Sequence, residues 1–149
     1  MSHVVVRLSS EGRFALPMDA VAEVGRLPGV TRVPGTPSWV TGVTNWRGRI
    51  LGVLDLSELL GLRHEAFGGE GRLVVLSRGG AQVGVVAERV DGVIEVDAEA
   101  LEPALLTLPA EAGALLEGQL TDEYGPVGVV DAGAVFALRH RVGVARRAG

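Results

Sequence analysis

Cysteine and lysine are both absent from the 149 residues, and Phe, Tyr and Trp together make up only 4% of them. Without cysteine there are no disulfides, no thiolate catalysis and no cysteine-held metal. All 14 basic residues are arginine, which removes the lysine of a phosphate-binding loop and any Schiff-base chemistry. With so few aromatics the core has to be built from Val, Leu, Ala and Ile. No apolar run approaches the roughly 20 residues needed to cross a bilayer. The start, "MSHVVVRLSS", lacks the charged leader and long apolar segment of a signal peptide. A cytoplasmic protein with no direct membrane insertion is expected. A net charge of −4 speaks against a general nucleic-acid binder, and the basic tail "RHRVGVARRAG" reads as a solvated end.

What is present is a foldable chain, 47% hydrophobic and 21% charged, long enough for one domain or two small ones sharing a core. Gly and Pro punctuate short Val-rich runs at a spacing of about 8–12 residues, the pattern of an all-β sandwich or barrel. Strands are expected at 3–8, 13–17, 20–26, 40–46 and 50–54, and again at 72–78, 81–87, 92–96, 115–122 and 126–130. Short helices are expected at 56–61 and 132–139.

The two sets are related by an internal repeat. "FALPMDAVAEV" at 14–24 aligns with "VGVVAERVDGV" at 83–93, and "GVTNWRGRILGVLDLSELLGL" at 42–62 aligns with "GQLTDEYGPVGVVDAGAVFAL" at 118–138. In the second alignment Gly42, Gly52, Val53, Asp55 and Leu62 meet Gly118, Gly128, Val129, Asp131 and Leu138. Two β-modules of about five strands follow, roughly 13–67 and 72–139, with strand 3–8 closing the assembly and 140–149 as a tail. Each needs the other to cover its apolar faces.

Features shared by both modules serve the fold. Asp55 and Asp131 both end an apolar run just before a helix, where a carboxylate caps the first N–H groups; Asp55 and Glu58 also have capping-box spacing. Features in one module only are the functional candidates. Arg47 corresponds to Glu123, Asn45 to Thr121 and Glu23 to Gly92. Glu23 and Arg47 each lie on or beside an apolar strand. They either meet as an ion pair, which if buried would cost about 3–5 kcal/mol to break, or both point into water.

Signatures of catalysis are missing. His3, His64 and His140 are scattered without metal-ligand spacing and read as surface histidines. None of the six serines sits in a G-x-S-x-G elbow. "GGEG" at 68–71 reads as a linker and "RGG" at 78–80 as a hairpin turn. No metal, cofactor or catalytic residue is expected. The competing reading is a small ligand-binding barrel or enzyme that uses Asp55, Asp131 or Glu23 in a cleft.

The stretch Gly42-Val43-Thr44-Asn45-Trp46-Arg47-Gly48, followed by Val53-Leu54-Asp55-Leu56, resembles the signature of the CheW-like chemotaxis adaptors. "FALPMDAVAEV", "VTRVPGTPSWVTG" and "VGVVAERVDGVIEV" carry the same resemblance, over roughly residues 3 to 139. It implies two intertwined five-stranded barrels of SH3 type, and a non-catalytic adaptor coupling methyl-accepting chemoreceptors to a CheA-type histidine kinase. It implies a Glu23–Arg47 ion pair and partner contacts at Glu23, Asn45, Arg47 and Gly48. Val21, Gly42, Gly84 and Val86 match positions in or beside the contact surfaces. Trp46 departs from the family's usual Leu; it is either an exposed aromatic anchor or an inward filler of a core short of aromatics. The leading reading is a chemotaxis array; the rival keeps the fold and changes the pathway to a type IV pilus, gliding or other chemosensory system, including one controlling gene expression.

Overall fold

A computed structural model describes residues 1–9, 12–62, 71–103 and 110–138. Their strands are β1 (Ser2–Ser9), β2 (Gly12–Pro17), β3 (Val21–Arg26), β4 (Val40–Trp46), β5 (Arg49–Leu54), β6 (Arg72–Arg78), β7 (Ala81–Ala87), β8 (Arg89–Glu95), β9 (Leu116–Asp122) and β10 (Gly125–Val130). Short helices α1 (Leu56–Leu59) and α2 (Ala110–Gly113) and a helical segment at 132–138 complete the described structure. The expected strands are all present. β8 starts three residues earlier than the expected 92, because Arg89 and Val90 pair with Arg7 and Val6 of β1 across a bulge. Helix α1 stops at Leu59 and not at 61, where Gly61 turns the chain with φ 71°. Arg139, the last residue of the second expected helix, and the tail lie outside the described residues, as do His64, His140 and 68–70 of the expected linker.

The strands form two five-stranded sheets, ordered β8-β1-β2-β10-β9 and β3-β6-β7-β5-β4. Each sheet draws on both halves of the sequence. The halves interlock at two short parallel junctions, Val129↔Ala15 between β10 and β2, and Val53↔Gly84 between β5 and β7. Under the repeat, Val53 and Val129 are equivalent, as are Gly84 and Ala15, so both junctions are copies of one contact.

Side-chain alternation explains the long apolar runs. Val74 and Leu76 of β6 enter the large core between the sheets, with Val4, Val6 and Leu8 of β1, Leu16, Leu54, Trp39 and Phe136. Leu73 and Val75 point the other way, into a small cluster with Leu51, Val53 and Val86. A matching small cluster, Ala15, Val96, Val127 and Val129, lies within the other sheet. Strands covered on both faces read as continuous hydrophobic segments. The dominant core lies between the two sheets, each of which takes strands from both halves of the sequence. Shortening a fully buried residue such as Leu76 to Ala costs about 2–5 kcal/mol.

The repeat extends to backbone detail. At Gly42 a Cβ would stand 2.1 Å from the Thr31 carbonyl oxygen, and at Gly118 2.7 Å from that of Glu102. These approaches belong to two equivalent bridges, Thr31↔Val43 and Glu102↔Gln119. Asp55 Oδ1 accepts from the N–H of Ser57 at 3.1 Å, and Asp131 Oδ1 from that of Gly133 at 2.9 Å. Both aspartates are caps and they serve separate helices. The 78–80 segment is the expected turn, with Gly79 and Gly80 at φ 55° and 82° between β6 and β7. His3 corrects an expectation: it is only 4% exposed and not a surface residue, because position 3 of β1 pairs with both Pro17 and Ile94.

Candidate functional site

The β4–β5 hairpin closes with Trp46 opposite Arg49, leaving Arg47 and Gly48 as a two-residue loop. Their φ angles are 51° and 80°, the left-handed pair of a type I′ turn, whose twist matches the flanking strands. Glycine adopts this conformation freely and arginine does not. Arg47 is the single non-glycine residue with positive φ among the described residues. Two side chains hold the turn. Asn45 Oδ1 accepts the Gly48 N–H at 3.0 Å, and Glu23 of β3 takes the guanidinium.

Arg47 donates through Nε at 2.8 Å and lies 2.7 Å away through Nη2, both to Glu23 Oε1. The other carboxylate oxygen, Oε2, accepts the indole N–H of Trp46 at 2.9 Å. The Trp46 ring rests against Gly25, where a Cβ would come within 3.0 Å of it, and packs on the small cluster containing Val86. The guanidinium sits 5.5 Å from the Trp46 ring centre, in cation–π range. β3 and β4 are the outer strands of their sheet. The Glu23–Trp46–Arg47 contact therefore bridges its two ends and helps close it into a barrel.

The electrostatics follow from this geometry. The hydrogen bonds from Arg47, first, and Trp46 hold the Glu23 carboxyl below the usual carboxylate range. Glu23 in turn pushes the Arg47 guanidinium upward. The pair is exposed, with side-chain exposures of 71% for Arg47 and 32% for Glu23, so the buried alternative does not apply. A pair this wet adds little to stability. Its yield is a fixed orientation: a cation at a hairpin tip with N–H groups still to donate. Exposed apolar side chains lie on the other face of the sheet: Val24, which pairs with Val74 and is 46% exposed, and Ile50, opposite Asn45 and 55% exposed. Trp46 is half-buried, anchored below and still accessible.

The structure thus brings together Glu23, Asn45, Trp46, Arg47 and Gly48. Val86, 2% exposed, lies beneath them in the small cluster. Gly84 keeps room in that layer, since a Cβ there would sit 2.8 Å from Leu73 and 3.2 Å from Leu51. Val21 packs half-buried on the large core, and Gly42 is occupied by its approach to Thr31. Asp131 lines a cleft that includes neither Asp55 nor Glu23.

The equivalent tip of the second module has the opposite polarity, as the alignment of Arg47 with Glu123 implies; the sequence reading missed the ion pair that holds it, Arg13–Asp122. Asp122 and Glu123 stand where Trp46 and Arg47 stand in the first. Asp122 binds Arg13 fork to fork, at 2.8 and 2.9 Å. Arg13 lies 5.6 Å from the ring centre of Tyr124, which is 76% exposed. The hydrogen bond from Arg13 brings the Asp122 carboxyl down to about 2. The one available signal was the alignment of Asp122 with Trp46; nothing local links Asp122 to Arg13, 109 positions away.

Residues 2–140 match the CheW-like domain. The chain belongs to the CheW-like domain family. Among relatives, chemotaxis protein CheW of Bacillus subtilis is 25% identical over 133 residues, covering 89% of this chain and 85% of that protein. PilI of Pseudomonas aeruginosa is 30% identical over 105 residues, covering 70% of this chain and 59% of PilI. FrzA of Myxococcus xanthus is 39% identical over 94 residues, covering 62% and 59%. The chain thus spans about three fifths of the length of PilI and FrzA. The crystal structure of the scaffolding protein TtCheW from Thermoanaerobacter tengcongensis superimposes with a TM-score of 0.75 at 25% identity, over 87% of this chain and 83% of that one. The CheW-like fold is therefore shown for the chain, and its structural neighbour is a scaffolding protein.

Proposed function

We propose that this chain is a coupling adaptor of a bacterial chemosensory system, joining methyl-accepting chemoreceptors to a CheA-type histidine kinase. The observation that carries this reading is the Glu23–Trp46–Arg47 corner. It fixes an exposed arginine in a left-handed conformation, in one module only, against the half-buried Trp46 ring. A charge that adds little to stability, held in place against the accessible Trp46 ring, suits a protein partner. Charge steers the encounter and selects the partner, while apolar contact supplies affinity.

The mechanism is physical coupling. One barrel docks on the kinase, and the groove between the barrels takes a receptor helix by its apolar face. Movement of the receptor then biases the kinase through contacts that differ between its two states. No helix among the described residues is long and apolar enough to cross a membrane; recruitment to a receptor array runs through the receptor. A second reading keeps the adaptor and changes the pathway to a type IV pilus or gliding system, favoured by the similarity to PilI and FrzA.

The test is a pull-down with the cognate receptor and kinase. Wild-type protein bridges them; Arg47→Glu weakens the bridge with unchanged circular dichroism. Undiminished bridging by that variant rules the corner out as the docking site.

A further inference from the structure

A cleft of about 550 Å³ opens where the two sheets meet, between the start of β1, the β2–β3 turn, the β6–β7 turn, β9 and the start of the 132–138 helix. That volume falls within the ~300–1,000 Å³ of small-molecule sites. The cleft lies apart from the Glu23–Arg47 corner, none of whose residues lines it. Its charged side chains are Asp19, Arg78, Glu117 and Asp131; Met1 also lines it, its ammonium already paired with Glu95 at 3.1 Å. The side chains of Asp19, Arg78 and Glu117 are exposed at the mouth and have no hydrogen-bond or ion-pair partner in the protein among the described residues. Asp131 spends Oδ1 on its helix cap and keeps Oδ2.

His3 forms part of the wall and is 4% exposed. Its Nδ1 lies 3.1 Å from the Met1 carbonyl oxygen. A carbonyl only accepts, so Nδ1 carries a proton, and in the neutral ring Nε2 is an acceptor. Among the described residues Nε2 has no donor, and a buried acceptor without one is costly. On the opposite side, a Cβ on Gly133 would stand 2.5 Å from Arg78 Nη1. The absence of that methyl lets the guanidinium lie against the start of the helix, beside Asp131. The cleft thus offers one anion-binding fork at Arg78 and an excess of acceptors at His3, Asp19, Glu117 and Asp131.

We propose that this cleft binds a small basic amino acid. The ligand's carboxylate meets Arg78, and its two cationic groups lie among the three carboxylates and His3 Nε2. A planar guanidinium matches a carboxylate, and an N–H-rich cation supplies the donors that the remaining groups lack. This site needs no docking partner, so its test and that of the adaptor reading are independent.

Isothermal titration of the full chain with L-arginine and L-lysine tests it. Putrescine supplies two cations without a carboxylate, and acetate a carboxylate without a cation. One equivalent of L-arginine or L-lysine binds, while putrescine and acetate bind at least about tenfold more weakly, a difference of ~1.4 kcal/mol. Asp19→Asn and Glu117→Gln each weaken L-arginine by about tenfold. Gly133→Ala also weakens it, because the methyl displaces Arg78. Alanine favours a helix over glycine, so a thermal melt shows that variant folded. The proposal is overturned by no binding of either amino acid, by equal binding of putrescine, or by variants that bind as well as wild type.

Discussion

Trp46 and Glu23 meet at 2.9 Å, indole N–H to carboxylate, across the two outer strands of one sheet. That bond leaves Glu23 Oε1 to Arg47 alone. Trp46 thus does three things from one position: it rests on Gly25, it fixes Glu23, and its face attracts the guanidinium.

The first prediction concerns the ionisation of Glu23. Its carboxyl is held low by Arg47 and then by Trp46. A group depressed on folding contributes stability above its unfolded value and loses it as pH falls through the folded one. Followed by carboxyl NMR, Glu23 titrates below the usual glutamate range. Arg47→Ala raises the midpoint most and Trp46→Phe, which keeps the ring and removes the donor, raises it less. An unmoved midpoint in Arg47→Ala would show that the pair does not form in solution.

Acid behaviour at the other tip is the second. Asp122 titrates at about 2, against an ordinary value of 3.8, because Arg13 donates to it. Its contribution to stability is complete above 3.8 and fades as pH falls towards about 2. Arg13→Gln returns the midpoint towards 3.8 and flattens the stability–pH curve in that window. Carboxyl NMR and urea unfolding at several pH values check both statements.

The glycines compare close approach added to backbone strain with backbone strain alone. Gly42→Ala keeps a φ of 147°, drives a methyl into the Thr31 carbonyl oxygen, at 2.1 Å, and costs at least about 3 kcal/mol. Gly48→Ala meets open space but keeps a φ of 80°, and costs about 1 kcal/mol. Urea unfolding midpoints order the two; a reversed order contradicts the packing described at Thr31.

For the caps, Asp55→Ala and Asp131→Ala each lose about 1 kcal/mol of stability while bridging of receptor and kinase stays at the wild-type level. A selective loss of bridging in either variant would move that aspartate from fold to function.

Much of this was legible before any coordinates. The strands are written in Val-rich runs between Gly and Pro, and the repeat announced that Asp55 and Asp131 are equivalent caps. Glu23 and Arg47 stood out because their counterparts, Gly92 and Glu123, differ. Interlocking was not readable from pattern: each parallel junction pairs only two residues on each strand, and strand periodicity names no partner. The burial of His3 depends on neighbours from β2 and β8, far away in sequence. Trp46 was posed as exposed or buried, and it is half of each, because its indole bridges a surface carboxylate and the small core below. Arg13 and Asp122 needed the β2–β10 junction to bring their ends of the molecule together.

The central claim is that the Arg47 corner serves partner proteins. Vesicles carrying the cognate receptor are sedimented with the CheA-type kinase and either wild-type adaptor or Arg47→Glu, and the kinase in the pellet is measured. The account predicts kinase in the pellet with wild type and in the supernatant with the variant, both adaptors showing the same circular dichroism. Equal kinase in both pellets would contradict it.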